Sequence, residues 1–488
     1  MLSNRDVPVL ACYGLLFSLL LACSEPITEA PIDVPAFSTH NGGPVVNSAD
    51  DPGDGVCDAA HCTLREAIGA AVASDEITFD PALDGSTIVL GGSPLVIDRN
   101  LTITGPGASE LTIDGDLASR VLVVNSGVTA GITGITLARG FTSSLGQGAA
   151  LDNDGVVELE QCVVREHSAP GTFVIRNNGS LVLRQCTLSD NTGRAIIDRA
   201  TTIEASTLTR NVVATVLVFQ SGAVPATILN STISGNTINQ GDVVGGSTAI
   251  VRSSTIVGNR LLNFGSSLSF SDLTISSSIV AGNAAGSGQE ECDATSLISS
   301  GDNIFGPSSS CTLAAGDLEI SFDPFERIVG ALADNGGPTW THALLDPEDT
   351  GFANPAIDAA NCAAHGITTD QRGIARPQDV ASVPDTHDGC DIGAFEIEVP
   401  APPPCTLEDL GAQVDALQAS GVLNAGQARA LDRKLDQSAS LLDRGKTDEA
   451  MAVLDDFRSQ VSDLEADGVL SGDQAASLDL CAASVAKG

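Results

Sequence analysis

"STLTRN" (206–211), "STISGN" (231–236) and "STIVGN" (254–259) are three copies of one short pattern. Looser copies complete the set: "CVVREH" (162–167), "CTLSDN" (186–191) and "SIVAGN" (278–283). The last residues of the six copies are 24, 20, 25, 23 and 24 residues apart. An irregular period of this length predicts a solenoid in which each repeat forms one coil.

Apolar residues recur eight and three positions before the last residue of each copy, as Ile203 and Leu208 do before Asn211. Period-two alternation on both sides of this gap predicts short strands that meet at a corner. Small residues lie five positions before the end of each copy and should form an interior stack: Cys162, Cys186, Ser206, Ser231, Ser254 and Ser278. Neighbouring coils lie about 4.8 Å apart, so Cys162 and Cys186 could form a disulfide or remain as stacked thiols.

The last residue of each copy predicts a turn with a side-chain ladder. It is His167 in the first copy and asparagine in the other five. Asparagine tolerates left-handed backbone, and its amide can bond to the neighbouring coil. Gly140, which ends "ITLARG" one coil earlier, meets the same backbone need without a side chain.

This pattern resembles the right-handed parallel β-helix, whose open N-terminal edge needs a cap. "CTLREAIGAA" (62–71) carries the apolar stripe Leu64, Ala67, Ile68 and Ala71 of a short amphipathic helix. The segment is similar to the CSLREA domain, which begins extracellular bacterial β-helix proteins, and the resemblance covers roughly residues 45–114. It implies structural rather than catalytic roles for His61, Cys62, Arg65 and Glu66. Since Arg65 and Glu66 lie off the stripe, we expect them to face water or guide docking.

The cap is preceded by "ADDPGDGVCD" (49–58), which is rich in aspartate. Its four carboxylates are spaced as in a calcium-binding turn: Asp50, Asp51, Asp54 and Asp58. Asp-Gly turns also form without metal, so a plain turn is the alternative. Calcium is therefore the one cofactor that the sequence suggests, and no cysteine or histidine spacing indicates zinc.

Residues 292–396 change in character and contain "LADNGGPTWTHALL", "TDQRGIARP" and "CDIGAFE". In this order the motifs resemble the choice-of-anchor Q module, which closes many bacterial β-helix proteins. Five charged residues could form an active constellation, but we favour buried ion pairs that fix an irregular cap: Asp370, Arg372, Arg376, Asp391 and Glu396.

A Pro-rich linker (397–404) leads to helical sequence over residues 405–484. Two segments match each other at an offset of 47 residues, and each contains a glycine stop followed by a capping box, Asn424 with Gln427 and Ser471 with Gln474. They predict two helix pairs with Cys405 and Cys481 able to join the ends. The region resembles the FIMAH domain of bacterial surface proteins.

The N-terminus reads as an export signal. An apolar run from Val7 to Ala22 is short for a membrane span, and "LLAC" (20–23) resembles a lipobox, which implies cleavage before Cys23 and acylation of that residue. Ser24 favours the outer membrane in that family. The residues from 23 to 44 are then a linker.

The cysteine count and the charge agree with export. Ten cysteines remain beyond Cys23, and we expect disulfides among them: Cys57, Cys62, Cys162, Cys186, Cys292, Cys311, Cys362, Cys390, Cys405 and Cys481. With 62 acidic and 23 basic residues, the chain is a poor partner for nucleic acid.

Two outward columns of charge bear on catalysis. One precedes the ladder by one residue (Arg139, Glu166, Asp190, Arg210), and the other precedes it by seven (Glu160, Arg184, Glu204). Signs alternate in both columns, which favours ion pairs between coils over clustered metal ligands. Arg139, Asp190 and Arg210 would carry the chemistry if the chain were a calcium-dependent polysaccharide lyase or hydrolase.

The sequence thus predicts a mainly β chain: signal peptide 1–22, linker 23–44, CSLREA-type cap and β-helix 45–291, closing module 292–396, linker 397–404 and helical domain 405–484. We expect a non-enzymatic lipoprotein of the cell surface or outer membrane. Its lipid would hold it to the membrane, and its partner would be a surface protein or a polysaccharide.

Overall fold

The computed structural model describes residues 42–485 except 52, 199–200, 220–224, 284–289, 308–310, 381–382, 385 and 400–404. Cys23 and the whole predicted signal peptide therefore lie outside the described residues. The chain forms two compact units, residues 1–377 with 381–396 and residues 378–380 with 397–488. The first contains a parallel β-solenoid of about nine turns and the second is helical, so the predicted fold class is confirmed.

The described strands of the solenoid pair in parallel with the equivalent strands of the next coil, and only β31 and β32 form an antiparallel pair. In chain order the strands are β1 (Val45–Val46), β2 (Asp75–Phe79), β3 (Ser86–Val89), β4 (Leu95–Ile97), β5 (Leu101–Thr104), β6 (Leu111–Asp114), β7 (Leu122–Val124), β8 (Thr129–Thr133), β9 (Thr136–Ala138), β10 (Gly148–Asn153), β11 (Val156–Glu160), β12 (Val163–Arg165), β13 (Ser168–Asn177), β14 (Ser180–Arg184), β15 (Thr187–Ser189), β16 (Thr192–Asp198), β17 (Thr201–Glu204), β18 (Thr207–Thr209), β19 (Val212–Phe219), β20 (Ala226–Leu229), β21 (Thr232–Ser234), β22 (Thr237–Ile238), β23 (Val244–Arg252), β24 (Thr255–Val257), β25 (Arg260–Leu261), β26 (Ser266–Ser276), β27 (Ile279–Ala281), β28 (Glu290–Ser299), β29 (Ile304–Phe305), β30 (Leu318–Glu319), β31 (Val329–Ala333) and β32 (Thr341–Leu344).

The repeat positions lie where the spacing predicts. Leu208 pairs in register with Leu188 and Ile233, and all three side chains are fully buried. The backbone is left-handed just before the small-residue stack, as at Ala205 (φ 49°), and again just before the ladder, as at Arg210 (φ 55°). Two such corners in each coil set β18 in a different sheet from β17 and β19.

The asparagine ladder is confirmed and runs through the buried interior. The left-handed backbone expected at the asparagines and at Gly140 is wrong, since it falls one residue earlier, as at Arg210 and Arg139. Asn211 Oδ1 accepts hydrogen bonds from Asn191 N at 3.1 Å and Asn191 Nδ2 at 2.9 Å, and the pattern repeats down to Asn283. At the last rung Asn283 donates to both oxygens of Glu291. Burial raises the pKa of the Glu291 carboxyl. The ladder thus satisfies a polar column that would otherwise be costly inside the core.

The small-residue stack is a second ladder, and it corrects the disulfide expected for Cys162 and Cys186. Both cysteines are free and buried. Cys162 Sγ lies 3.3 Å from the carbonyl oxygen of Glu160, and Cys186 Sγ lies 3.2 Å from that of Leu159. Each thiol bonds to main-chain carbonyls as the stacked serine hydroxyls do, and burial raises the pKa of the Cys186 thiol. The stacked-thiol alternative is therefore the one the structure adopts.

The remaining eight cysteines form four disulfides. The bridges join Cys57 to Cys62, Cys292 to Cys311, Cys362 to Cys390 and Cys405 to Cys481. Each pair joins cysteines that neighbour one another within a predicted segment. Such a set of bridges is typical of an exported protein.

Helix α1 (Leu64–Ala70) covers the N-terminal end of the core, with Leu64, Ala67 and Ile68 buried. The predicted stripe is confirmed, but the expected exposure of Glu66 is wrong. Glu66 is 8% exposed, because its carboxylate accepts the Thr63 N–H at 2.8 Å and completes a capping box. These bonds lower the pKa of the Glu66 carboxyl to about 2, mainly through the Thr63 N–H.

The residues after β30 return along the outside of the solenoid. We call residues 324–376 and 386–396 the brace. They include α2 (Pro324–Arg327), α3 (Pro347–Thr350) and α4 (Cys362–His365). Thr207 Oγ1 donates to Trp340 O at 2.5 Å, and Thr232 Oγ1 donates to Gln371 Oε1 at 2.6 Å. The brace therefore covers a face of several coils rather than one end.

The helical unit contains four helices: α5 (Leu407–Ala419), α6 (Ala425–Leu442), α7 (Thr447–Ala466) and α8 (Gly472–Val485). Both predicted capping boxes form, since Asn424 pairs with Gln427 and Ser471 with Gln474. Among the described residues, no helix is both long and apolar enough to cross a bilayer.

Candidate functional site

The residues that directly precede the ladder form a column along one outer corner, which we call the corner column. In chain order it comprises Arg139, Glu166, Asp190, Arg210, Gly235, Gly258 and Gly282. Every member has a left-handed backbone, with φ between 49° and 68°. The charged half of this column holds the three residues of the catalytic alternative.

Arg210 and Asp190 form a closed pair across two coils. Arg210 donates to the two oxygens of Asp190 at 2.9 and 2.7 Å, and this bonding lowers the pKa of the Asp190 carboxyl. The guanidinium also lies over the Trp340 ring, 5.9 Å from its centroid. The Trp340 side chain is 48% exposed. A half-exposed aromatic residue therefore lies beside one neutralised charge pair.

Arg139 lies two coils from that pair and has different partners. It donates to Asp114 at 2.9 Å and to Asp116 at 2.7 Å, while Glu166 pairs with Arg165. The structure does not bring Arg139 together with Asp190 and Arg210 into one constellation. Alternation of sign along the column predicted Arg139–Glu166 contact, but the nearer carboxylates at the end of β6 bind the arginine instead.

In the second column Arg184 pairs with Glu204 of the next coil and, at 3.3 Å, with Glu158 of the previous one. The expected partner Glu160 is in register with Arg184 but does not bond to it among the described contacts. The ion-pair interpretation is thus confirmed for Arg184 with Glu204 in this column, as it is for Arg210 with Asp190 in the corner column.

Sequence reasoning missed a larger charge network on the long strands β10 and β13. Asp152 binds both Arg120 and Arg176, and Arg176 also donates to Asp154 at 2.9 Å. Asp152 and Arg176 are register partners 24 residues apart, so one repeat length connects them. This pair could have been found by aligning the residues that follow each ladder position at the same repeat length.

The carboxylates of the acidic segment 49–58 bind different partners. Asp51 pairs with Arg65 at 2.6 Å and accepts from Gly91 N, whereas Asp58 accepts from the main chain at Ala60. The structure therefore does not gather the four predicted calcium ligands at one point. Asp50 lies 3.4 Å from His61 Nε2.

A different set of three does converge in the same place. One ligand atom each from Asp54, His61 and Glu66 lies within 4.8 Å of the other two. A second group, Cys362, Asp388 and Cys390, also meets this distance, but its two cysteines form a disulfide. In the first group no ligand atom belongs to a disulfide, so all three could bind a metal ion.

The charged residues of the brace form the buried ion pairs predicted for them. Arg372 Nε lies 2.8 Å from Asp370 Oδ2, and an Arg376 nitrogen lies 3.4 Å from Glu396 Oε2. Asp391 accepts from Asp358 N at 2.9 Å. All of these side chains are nearly inaccessible, which suits a structural role better than contact with a substrate.

Comparison with known proteins identifies one part of the chain. The FIMAH domain matches residues 407–486, which agrees with the resemblance found in the sequence. No curated protein matches the chain. Among solved structures, a mutant of the PL6 family alginate lyase AlyGC is similar over 70% of this chain at 10% identity, with a TM-score of 0.21. The chain spans 58% of that structure.

Proposed function

We propose that this protein is a non-enzymatic surface protein whose β-solenoid presents a rigid binding face to a surface protein or a polysaccharide. The observation that carries the proposal is the separation of the charged groups along the corner column. Arg210 is neutralised by Asp190, and Arg139 is neutralised by Asp114 and Asp116. Closed pairs spread over several coils support recognition of an extended partner better than they support proton transfer at one point.

The proposal includes a route to the cell surface. Cleavage before Cys23 and acylation of that cysteine would attach the chain to the outer membrane. The resemblances to the CSLREA cap and to the choice-of-anchor Q module support an extracellular position. Four disulfides are consistent with such surroundings. The predicted domain boundaries at 45, 292 and 405 belong to the same proposal.

A second candidate is a calcium-dependent polysaccharide lyase or hydrolase, and Trp340 is the observation that favours it. A half-exposed tryptophan beside an arginine and a carboxylate offers a flat apolar face next to polar groups. The same surface could hold a polysaccharide without cleaving it. Turnover therefore decides between the two functions.

The test uses cells that produce the wild type, Cys23→Ser or Arg210→Ala. For the wild type we expect membrane-bound protein, binding of purified matrix polysaccharide or partner cells, and no release of oligosaccharides with or without calcium. Cys23→Ser should release the protein and remove cell-borne binding, while the purified variant still binds. Calcium-dependent depolymerisation that Arg210→Ala abolishes would establish the enzyme instead. Unchanged membrane attachment of Cys23→Ser would exclude the lipid anchor.

A further inference from the structure

The N-terminal cap contains a cluster of metal-ligating side chains that the charge columns do not use. Asp54 lies in the loop before the cap helix, His61 lies just before Cys62, and Glu66 lies in the first turn of α1. The Cys57–Cys62 disulfide fixes the short segment between the loop and the helix. Three residues from separate local turns are thereby held at one point.

The loop is built to pass directly over the Glu66 carboxylate. Gly55 N donates to Glu66 Oε1 at 2.5 Å. A Cβ atom at Gly53, where φ is +85°, would lie only 2.4 Å from the same oxygen. Glycine is required for this approach, and it brings Asp54 to the carboxylate.

One atom of the cluster is unsatisfied. His61 Nδ1 is buried and has no hydrogen-bond partner, while Nε2 of the same ring lies 3.4 Å from Asp50. Nδ1 lies 3.6 Å from Glu66 Oε2, slightly beyond hydrogen-bond distance. A buried polar atom without a partner is costly, and a cation bound between His61 Nδ1 and Glu66 Oε2 would give the nitrogen a partner.

The geometry agrees with a small divalent ion. Two ligands that are each about 2.1 Å from a tetrahedral zinc ion lie about 3.4 Å apart. The His61–Glu66 separation is already close to that value, and Asp54 is an exposed side chain that can adjust by rotation.

The donor set distinguishes between metals. Calcium takes six to eight oxygen ligands, whereas imidazole nitrogen with carboxylate oxygen suits zinc and similar transition metals. We propose that Asp54, His61 and Glu66 form a divalent transition-metal site of the zinc type, which ties the acidic loop to the start of the cap helix. Asp54 and Glu66 also line a surface cleft. The site differs from the oxygen-only calcium turn expected from the sequence.

The experiment measures binding of zinc chloride to the tag-free, disulfide-intact protein by calorimetry. We expect one zinc ion per chain, with calcium binding at least about tenfold more weakly. His61→Gln and Asp54→Asn should each weaken zinc binding by about tenfold or more, since even outer ligands of metal sites contribute this much. In Asp54→Asn the new amide oxygen can still accept the Val56 N–H that the carboxylate accepts. Neither substituted residue belongs to the capping box of Thr63 and Glu66, so the start of α1 should stay intact.

His387→Gln is the matched control, because His387 also contacts a carboxylate, Asp302 at 2.8 Å, but has no third ligand among the described residues. Its zinc affinity should equal that of the wild type. Cobalt gives a second readout, since its visible absorption should change in His61→Gln and not in His387→Gln. Equal zinc affinity of His61→Gln and the wild type would overturn the site. So would calcium binding that matches zinc binding and depends on the same residues.

Discussion

The corner column has two halves that share a left-handed backbone conformation but differ in their side chains. Arg139, Glu166, Asp190 and Arg210 have φ values of 49–60°, and Gly235, Gly258 and Gly282 have φ values of 65–68°. The charged residues tolerate the left-handed corner, so the turn alone does not require glycine. At Gly258 and Gly282 the difference lies in what covers the corner.

The brace supplies that difference. A Cβ atom at Gly258 would lie 2.9 Å from Phe325 Cζ, and one at Gly282 would lie 2.7 Å from Pro324 Cγ. Among the charged corners, Arg210 also contacts the brace, since its guanidinium lies over the Trp340 ring, but its side chain stays half exposed. Glycine therefore marks where the brace packs at Gly258 and Gly282. Gly235 is exposed, and a Cβ atom there would lie 3.3 Å from Thr209 Oγ1 of the solenoid itself.

The largest loss of stability should come from placing a charge on the inward, apolar face of a coil. Leu208→Asp places a charge among fully buried side chains two residues before the exposed Arg210. We expect a loss of at least about 4 kcal/mol of unfolding free energy, because no partner is available in the stack. Arg210→Ala, in the same coil, should lose less than about 1 kcal/mol. Chemical denaturation of both variants gives the comparison, and equal stability of Leu208→Asp and the wild type would refute the coil register.

Contacts between neighbouring coils were predictable from the sequence, whereas contacts between distant segments were not. The ladder was predictable because Asn191 and Asn211 repeat at the coil period, and each contact joins neighbouring coils. The brace was not, because Thr207 and Gln371 meet across 164 residues and no period connects them. Glu66 was placed wrongly because an apolar stripe does not reveal a side chain that is buried by main-chain donors. For the same reason, the convergence of Asp54, His61 and Glu66 was visible only in the folded chain.

A second prediction concerns His167, where the ladder begins among the charged corners. Gly140 N donates to His167 Nδ1 at 2.8 Å, and Nε2 donates to Leu137 O at 2.9 Å. Burial lowers the pKa of His167 to about 4 from 6.5. As pH falls, His167 is protonated in the unfolded chain before it is protonated in the folded chain. The contribution of neutral His167 to the unfolding free energy is therefore complete above pH 6.5 and is lost toward pH 4. The shift corresponds to at most about 3 kcal/mol.

His167→Asn should remove this pH dependence, since an amide can make both bonds without titrating, as Asn191 does. The measurement is the difference in unfolding free energy between wild type and variant at about pH 7 and about pH 4.5, on either side of the unfolded-state pKa. We expect the wild type to lose more stability than the variant as pH falls. A difference that stays constant between these pH values would show that His167 does not titrate on unfolding.

The comparison of corners is tested most directly at a covered glycine. Gly258→Ala adds a Cβ atom at a covered corner, and we expect it to cost about 1 to 3 kcal/mol of unfolding free energy. Part of that cost is left-handed backbone strain. The difference in unfolding free energy between Arg210→Ala and Arg210→Gly measures this strain at an exposed corner. The remainder is contact with Phe325, so it should fall when Gly258→Ala is combined with Phe325→Ala in a double-mutant cycle. If Gly258→Ala costs no more than the strain found at Arg210, or if the cycle shows no coupling, glycine in this column is a turn residue and does not mark the packing of the brace.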